Sequence, residues 1–370
     1  MIRSESSRNQ PVDFASFAQY LTLDVLTHIA FSSPIGYLKQ NRDVYSYIWT
    51  VSDFLQILEL GANCPSVQRI LDSGTMAPFR PKPTDADGMG AMMGIAAKAV
   101  SARYAPDAED YPDLLGSFKK HGLTRQEAES EAKVQVLGGS DSTATAIRMI
   151  MLYIITNPGV YGRCIQEVDA NDEAFSAGFI SSSAARKALP YLKACIKEGL
   201  RIWPPLQALN SKLAPPQGET MNGVFIPGGI EVCHNAYTTQ RRKEIYGPDA
   251  DYFRPERWLE AAAEAGKTEI EGIDQGLGDD GASVVAGGDG KTRLARMEST
   301  LELIFGSGRF GCLGRHIALV ELDKVVPVLL REFEWAVADP SKGIESKCYG
   351  VFVQRGLWLR ATPRTGKGGQ

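Results

Sequence analysis

Cys312 lies in the stretch Phe305-Gly306-Ser307-Gly308-Arg309-Phe310-Gly311-Cys312-Leu313-Gly314. This loop carries glycine at 306, 308, 311 and 314 and runs into an apolar, helix-patterned segment, His316 to Leu330. Glycines let a backbone approach a flat ligand closely and take positive φ. A cysteine at the mouth of a helix has its thiolate stabilised by free N–H groups and the helix dipole, which is what a thiolate ligand to a haem iron needs. Two other readings fit the same residues: a cysteine packed in a core, and a phosphate cradle ahead of a helix. A second unusual cluster is Gly138-Gly139-Ser140-Asp141-Ser142-Thr143, all poor helix formers within a helix-patterned region. Two glycines inside a helix cost roughly 2 kcal/mol against alanine. Either a large flat group lies against the helix here, or the helix breaks at a simple turn. Glu198 and Arg201 share a helix face at i, i+3, a spacing that most often marks an exposed pair worth little.

These groups must be positioned by helices. The spacing of Phe14, Phe17, Ala18, Leu21, Val25, Leu26 and Ile29 predicts helix over 12–33, and residues 43–73 and 89–103 are again helical in pattern, with a proline-rich loop at 74–88 between them. Thr124 to Asn157 reads as one long helix, opened by a Thr124/Glu127 capping box and stopped by Asn157-Pro158. About 32 residues make a rod of roughly 48 Å. Its second half, Ala144 to Ile155, is apolar nearly all round apart from Thr145 and Arg148, so it should be buried. Further helices are expected at 158–170 and 190–203, with a loop at 171–183. After Leu206 the period changes to short strands at 207–213, 223–226 and 230–235, then a short helix to Ala265. Residues 266–291 form a Gly/Asp/Ala-rich surface insertion of low complexity. Helix 316–330 and strands at 335–337 and 350–361 complete the chain.

The chain has 370 residues, 44% hydrophobic and 23% charged, with a net charge of −4. That is an ordinary globular composition with ample material for a core, and the charge gives no sign of a nucleic-acid partner. The six cysteines are scattered, which excludes a zinc pattern and a disulfide framework and favours a reducing, intracellular compartment. No signal peptide opens the sequence. No run of eighteen apolar residues occurs, so no transmembrane anchor is expected.

Taken together and in order, four segments resemble the motifs of the cytochrome P450 family, most closely its fungal microsomal type. Residues Gly138 to Thr143 are similar to the oxygen-binding groove Ala/Gly-Gly-x-Asp/Glu-Thr-Thr, and Glu198-Gly199-Leu200-Arg201 to Glu-x-x-Arg. Pro255-Glu256-Arg257-Trp258 is similar to Pro-Glu-Arg-Phe, and the cysteine loop to Phe-x-x-Gly-x-Arg-x-Cys-x-Gly. Phe305, Gly308, Cys312 and Gly314 fall on pattern; Phe310 occupies the arginine position, and Arg309 stands one residue early.

The resemblance implies a mainly α fold with small β-sheets, in a single domain over 1–370. It implies haem b with Cys312 as axial thiolate and metal ligand, Phe305 packed over the sulfur, and a haem-binding surface that includes Gly138, Gly139, Gly308, Arg309 and Gly314. Glu198, Arg201 and Arg257 become a buried ion-pair network behind the haem. Asp141, Ser142 and Thr143 become the proton-delivering groups, with Ser142 in place of the commoner threonine. Val134, Leu137, Leu206, Gln207, Leu209 and Phe352 become substrate contacts in an apolar pocket. His234 and His316 are not needed as ligands. Arg315 and Lys324, near the cysteine, admit both a docking face for a reductase and a plain solvated face.

The implied activity is monooxygenation of a small apolar substrate by O2, in secondary metabolism, with electrons from NADPH-cytochrome P450 reductase. A monomer is expected. The family is usually found on the endoplasmic reticulum membrane. The family's Trp-x-x-x-Arg is not found: Trp49 is followed four places on by Asp53. The chain is therefore expected to lack the family's N-terminal portion. The rival readings are a non-catalytic fragment and a haem-thiolate protein with nitric oxide reductase or peroxygenase activity.

Overall fold

A computed structural model of the chain describes residues 1–8, 10–176, 178–207, 211–267 and 292–364. The helices that build the site are α1 (Phe14–Phe31), α2 (Tyr47–Asn63), α3 (Gly88–Arg103), α4 (Arg125–Thr156), α5 (Pro158–Ala170), α6 (Ser182–Ala188), α7 (Pro190–Ile202), α8 (Glu256–Glu264), α9 (Arg293–Glu302) and α10 (Arg315–Glu332). The strands are β1 (Val12–Asp13), β2 (Lys212–Leu213), β3 (Glu219–Met221), β4 (Val224–Ile226), β5 (Glu231–Val232), β6 (Phe333–Val337), β7 (Glu345–Tyr349), β8 (Val351–Arg355) and β9 (Trp358–Pro363). They form small antiparallel sheets: β1-β9-β6, β2-β5, β3-β4 and β7-β8.

The long helix α4 is the shared axis of two apolar cores. Its first half, through Ala128, Ala132 and Val136, packs with Leu23 and Ala30 of α1, Val51 and Leu55 of α2 and Met92, Ala96 and Val100 of α3. Its second half, through Ala144, Ile147, Ile150, Met151 and Ile154, packs with α5, α7, α10 and the β1-β9-β6 sheet. The nearly all-round apolar character of that second half, broken by Thr145 and Arg148, is what makes its burial favourable. Both ends of α4 follow from the sequence. Thr124 Oγ1 accepts from Glu127 N (3.3 Å) while Glu127 Oε2 accepts from Thr124 N (2.8 Å), and Asn157 leaves the helix in an extended conformation before Pro158.

The helix does not break at Gly138-Gly139; it runs on as regular α-helix. The reason is tertiary. A Cβ on Gly139 would lie 3.1 Å from both methyl groups of Leu26, so glycine is what lets α1 approach this closely. Thr22 Oγ1 of α1 donates to the Ser140 carbonyl oxygen at 3.0 Å, tying the two helices at the same level.

Several local expectations are corrected. The helical pattern over 43–73 is two helices, because Pro65 forces Cys64 into an extended conformation between α2 and the helix Pro65–Asp72. The loop expected at 171–183 ends earlier: α6 starts at Ser182, with Ser181 Oγ accepting from Ala184 N (3.1 Å). Helix α9 and strands β3 and β7 were not legible from period alone. Of the insertion expected at 266–291, residues 268–291 lie outside the described residues. No described helix is long and apolar enough to cross a membrane.

Gly138 differs from its neighbour, since a Cβ there would meet no atom within 4 Å. Gly138→Ala should therefore stabilise the cofactor-free chain by up to about 1 kcal/mol through helix propensity. Gly139→Val should cost about 1–3 kcal/mol by overpacking, with partial rescue by Leu26→Ala. Urea midpoints of the three variants check this; equal effects at the two glycines would contradict the packing described.

Candidate active site

The cysteine loop is closed by its own backbone. Cys312 N donates to the Phe305 carbonyl oxygen at 2.7 Å, Phe310 N to Ser307 O at 3.2 Å and Gly311 N to Gly308 O at 2.9 Å. Gly306 has φ of 76°, and a Cβ there would lie 2.7 Å from the Phe310 carbonyl oxygen, so the fold of the loop requires glycine at this point. Phe305 is half-buried against the main core and anchors one end. Gly314 is the N-cap of α10 at the other end, which places the Cys312 thiol, solvent-exposed, at the mouth of that helix. Leu313 is 89% exposed and Phe310 53%. The ring that occupies the arginine position of the motif lies between two cations: Lys212 Nζ of β2 is 4.3 Å from the Phe310 centroid and Arg309 Cζ is 4.7 Å from it. Arg315, one candidate for a charged docking face, is buried instead, and its Nε has no acceptor among the described residues; Lys324 is exposed.

Glu198, Arg201 and Arg257 are fully buried and meet one another. Glu198 accepts from Arg201 Nε and Nη2 (both 2.8 Å), and from Arg257 Nε, Trp258 Nε1 and the Arg254 backbone N–H (each 2.9 Å). Arg257 Nη1 also donates to the Asp249 carboxylate at Oδ1 (2.9 Å), and the other remaining donors of the two arginines reach carbonyl oxygens. Arg201 Nη1 reaches Gln240 O (2.6 Å) and Ala250 O (2.7 Å), and Arg257 Nη2 reaches Asp249 O (2.9 Å). Each buried charge thus has an opposite charge and its hydrogen bonds, the condition for tolerating it in a core.

The network reaches the cysteine loop through α9. Gln240, whose carbonyl caps Arg201, donates from Nε2 to Thr300 O (2.7 Å), and Lys197 Nζ donates to Glu298 Oε1 (2.6 Å). Helix α9 leads directly into the turn Leu303–Phe305 that opens the loop. Beyond the loop, Asp323 of α10 accepts from Lys193 Nζ of α7 (2.7 Å), Arg186 Nε (2.8 Å) and Ser182 Oγ (2.9 Å) of α6. The elements on both sides of Cys312 are therefore pinned to α7.

On α4, Val134 is 65% exposed, Leu137, Asp141 and Ser142 are half-buried, and Gly138 faces open space. This open strip lies just before the fully packed stretch from Thr143 to Met151. Ser142 Oγ donates back to Gly138 O at 3.2 Å, and Thr143 is buried. Asp141 Oδ1 accepts from Gln19 Nε2 (2.8 Å) and Oδ2 from Ser140 Oγ (3.3 Å). Burial pushes the Asp141 carboxyl above the usual carboxylate range, against the opposing pull of Arg148, Gln19 and Ser140. Sequence reasoning missed Gln19 altogether. Arg148 had a signal, as the lone charge in an apolar helix half.

Leu206 bridges to Val351 of β8, and Gln207 N donates to Gly350 O at 2.9 Å. Phe352 is buried, with its ring 5.2 Å from that of Trp203. Leu209 lies outside the described residues.

A cytochrome P450 family model matches residues 1–355. The chain belongs to the cytochrome P450 family. Among its relatives, the cytochrome P450 monooxygenase ABA1 of Pyricularia oryzae is 36% identical over 363 residues, covering 97% of this chain and 65% of that protein. The cytochrome P450 monooxygenase aba1 of Botryotinia fuckeliana is 33% identical over 376 residues, 99% of this chain and 68% of that protein. The cytochrome P450 monooxygenase abl1 of Leptosphaeria maculans is 35% identical over 349 residues, covering 93% and 56%. The chain thus spans between about half and two thirds of the length of these relatives. The P450 cofactor is haem, with its iron on an axial cysteine thiolate. The residues present fit that group: an exposed thiol at a helix mouth, exposed apolar side chains beside it, and a glycine on α4 with no neighbour where a side chain would project.

Glu198→Gln leaves the buried Arg201 guanidinium without a carboxylate, while Arg257 keeps Asp249 Oδ1 at 2.9 Å, and should cost about 3–5 kcal/mol. Urea unfolding measures it; a loss as small as that of an exposed pair, under about 1 kcal/mol, would contradict a buried hub.

Proposed function

We propose that the chain is a haem-thiolate monooxygenase acting on a small apolar organic substrate of secondary metabolism, with NADPH-derived electrons from a partner reductase. The observation that carries this reading is that one chain holds both an exposed thiol in a backbone-closed loop at a helix mouth and a half-buried acid on the open strip of α4. When bound, the haem supplies oxygen activation and insertion of one atom of O2 into the substrate.

In this reading Cys312 binds the iron, and the loop fixes the direction of its Sγ. Gly138 leaves room for the flat ring where any side chain would intrude. Gly139 acts indirectly, by bringing α1 against α4. Asp141 holds an exchangeable proton on its carboxyl, and the Ser142 and Thr143 hydroxyls are the groups beside it that pass protons on, general acid work. Ser142 Oγ is engaged with Gly138 O and must turn from it to do so, which an unbranched side chain does readily. Val134 and Leu137 present apolar surface to the substrate and exclude water. Leu206 and Gln207, held to β8, form a further wall. Phe352 contributes by fixing Trp203. The acid on α4 favours this chemistry over nitric oxide reduction, which does not require O2 to be split. A monomer working at the endoplasmic reticulum membrane completes the proposal.

The test is the CO difference spectrum of the reduced, haem-loaded protein. A thiolate-type Soret band is expected, and Cys312→Ala should abolish it. A chain that takes up no haem, or a band that survives in the variant, overturns the assignment.

A further inference from the structure

One buried polar residue that belongs to none of the motifs touches the acid of the open strip. Gln19, on α1 and 3% exposed, has both ends of its amide engaged. Its Nε2 donates to Asp141 Oδ1 at 2.8 Å, and its Oε1 accepts from Arg148 Nη2 at 2.7 Å. Arg148, one helical segment beyond Asp141, gives its other hydrogen bonds to the Ala15 carbonyl oxygen, from Nε at 2.9 Å and Nη2 at 2.6 Å. The amide therefore stands between the half-buried Asp141 carboxyl and a buried guanidinium. A direct pair would hold Asp141 ionised and bound, and remove it from proton exchange. A neutral spacer gives the carboxyl one fixed donor, keeps its orientation, and lets Arg148 act only at a distance.

We propose that Gln19 is the positioning residue that sets the proton affinity of Asp141, by giving its carboxylate one fixed donor whose amide oxygen is in turn held by Arg148. The proposal rests on the reading of Asp141 as a proton donor and adds the residue that tunes it. Burial and distance agree with it: desolvation drives the Asp141 carboxyl upward and outweighs Arg148, and burial brings the Arg148 guanidinium down to about 10 against the pull of Asp141 and Asp13. The other groups facing Asp141 are Ser140 on its own helix and the Tyr47 phenol of α2, which burial raises, with Asp141 and Asp43 adding to the effect. The register of α1 on α4 that makes this possible is locked by Thr22 Oγ1 on Ser140 O and by Leu26 on Gly139.

Gln19→Glu keeps the acceptor for Arg148 and replaces the donor to Asp141 with a second carboxylate. Gln19→Met removes the donor while Arg148 stays tied to Ala15. Isotope-edited infrared spectroscopy of the folded chain, with carboxyl-labelled aspartate and Asp141→Asn to mark the band, reads the titration of Asp141 without turnover. The midpoint is expected to rise in both variants, by about one pH unit or more in Gln19→Glu, a tenfold gain in proton affinity. Variants that lose thermal stability but leave the midpoint unchanged would show Gln19 to be packing only and overturn the proposal. If Gln19→Met does not fold, Gln19→Glu decides alone. Failure of the monooxygenase reading shows separately, as a missing thiolate Soret band with an Asp141 midpoint that still moves.

Discussion

The contact between α1 and α4 at Leu26 and Gly139 is the constraint on which the rest depends. A Cβ on residue 139 would crowd the Leu26 methyl groups, and a larger side chain would strain the hydrogen bonds from Thr22 to Ser140 O, from Gln19 to Asp141 and from Arg148 to Ala15. Because the two helices meet backbone to side chain at this level, α4 continues as a helix through residues that would otherwise end it. The neighbouring glycine is then left facing open space. One glycine serves packing and the other serves vacancy, and together they give the long helix an open strip in its middle.

A second constraint governs the cysteine. The loop is held in shape by its own backbone hydrogen bonds, and its position is set at a distance. The Glu198 hub fixes Gln240, Gln240 fixes α9, and α9 delivers Phe305; on the far side, Asp323 fixes α10 to α6 and α7. A buried ion network of this kind adds little net stability over apolar packing. What it supplies is a fixed geometry, since removing any member leaves a charge that the core cannot accommodate.

Much of this was legible in the sequence, and the exceptions have physical causes. The ends of α4 were readable because capping and proline stops are local chemistry. The motif order from Gly138 to Cys312 carried the family, and the family model and relatives bear that out. The continuity of α4 was not readable, because Leu26 and Thr22, more than a hundred positions away, decide it. The burial of Glu198 and Arg201 was not readable from the i, i+3 spacing, which is the same for a solvated pair; the family resemblance alone implied it, and the structure shows it. Gln19 had no signal at all: a glutamine in an amphipathic helix looks like surface. Helices α6 and α9 were missed because each begins at a Ser or Thr cap beside a low-complexity run that reads as loop.

The aromatic ring at Phe310 marks where this chain departs from the common loop. Cations are present there, but Arg309 and Lys212 lie against the ring faces in place of one arginine at the motif position. The central claim is that the haem lies between Cys312 and the open strip of α4. The most direct test is a crystal structure of the haem-loaded chain with the iron located by its anomalous scattering. The account predicts iron bonded to Cys312 Sγ, with Gly138 against the ring on the opposite side. Iron bound by His234 or His316, or a ring remote from Gly138, would contradict it.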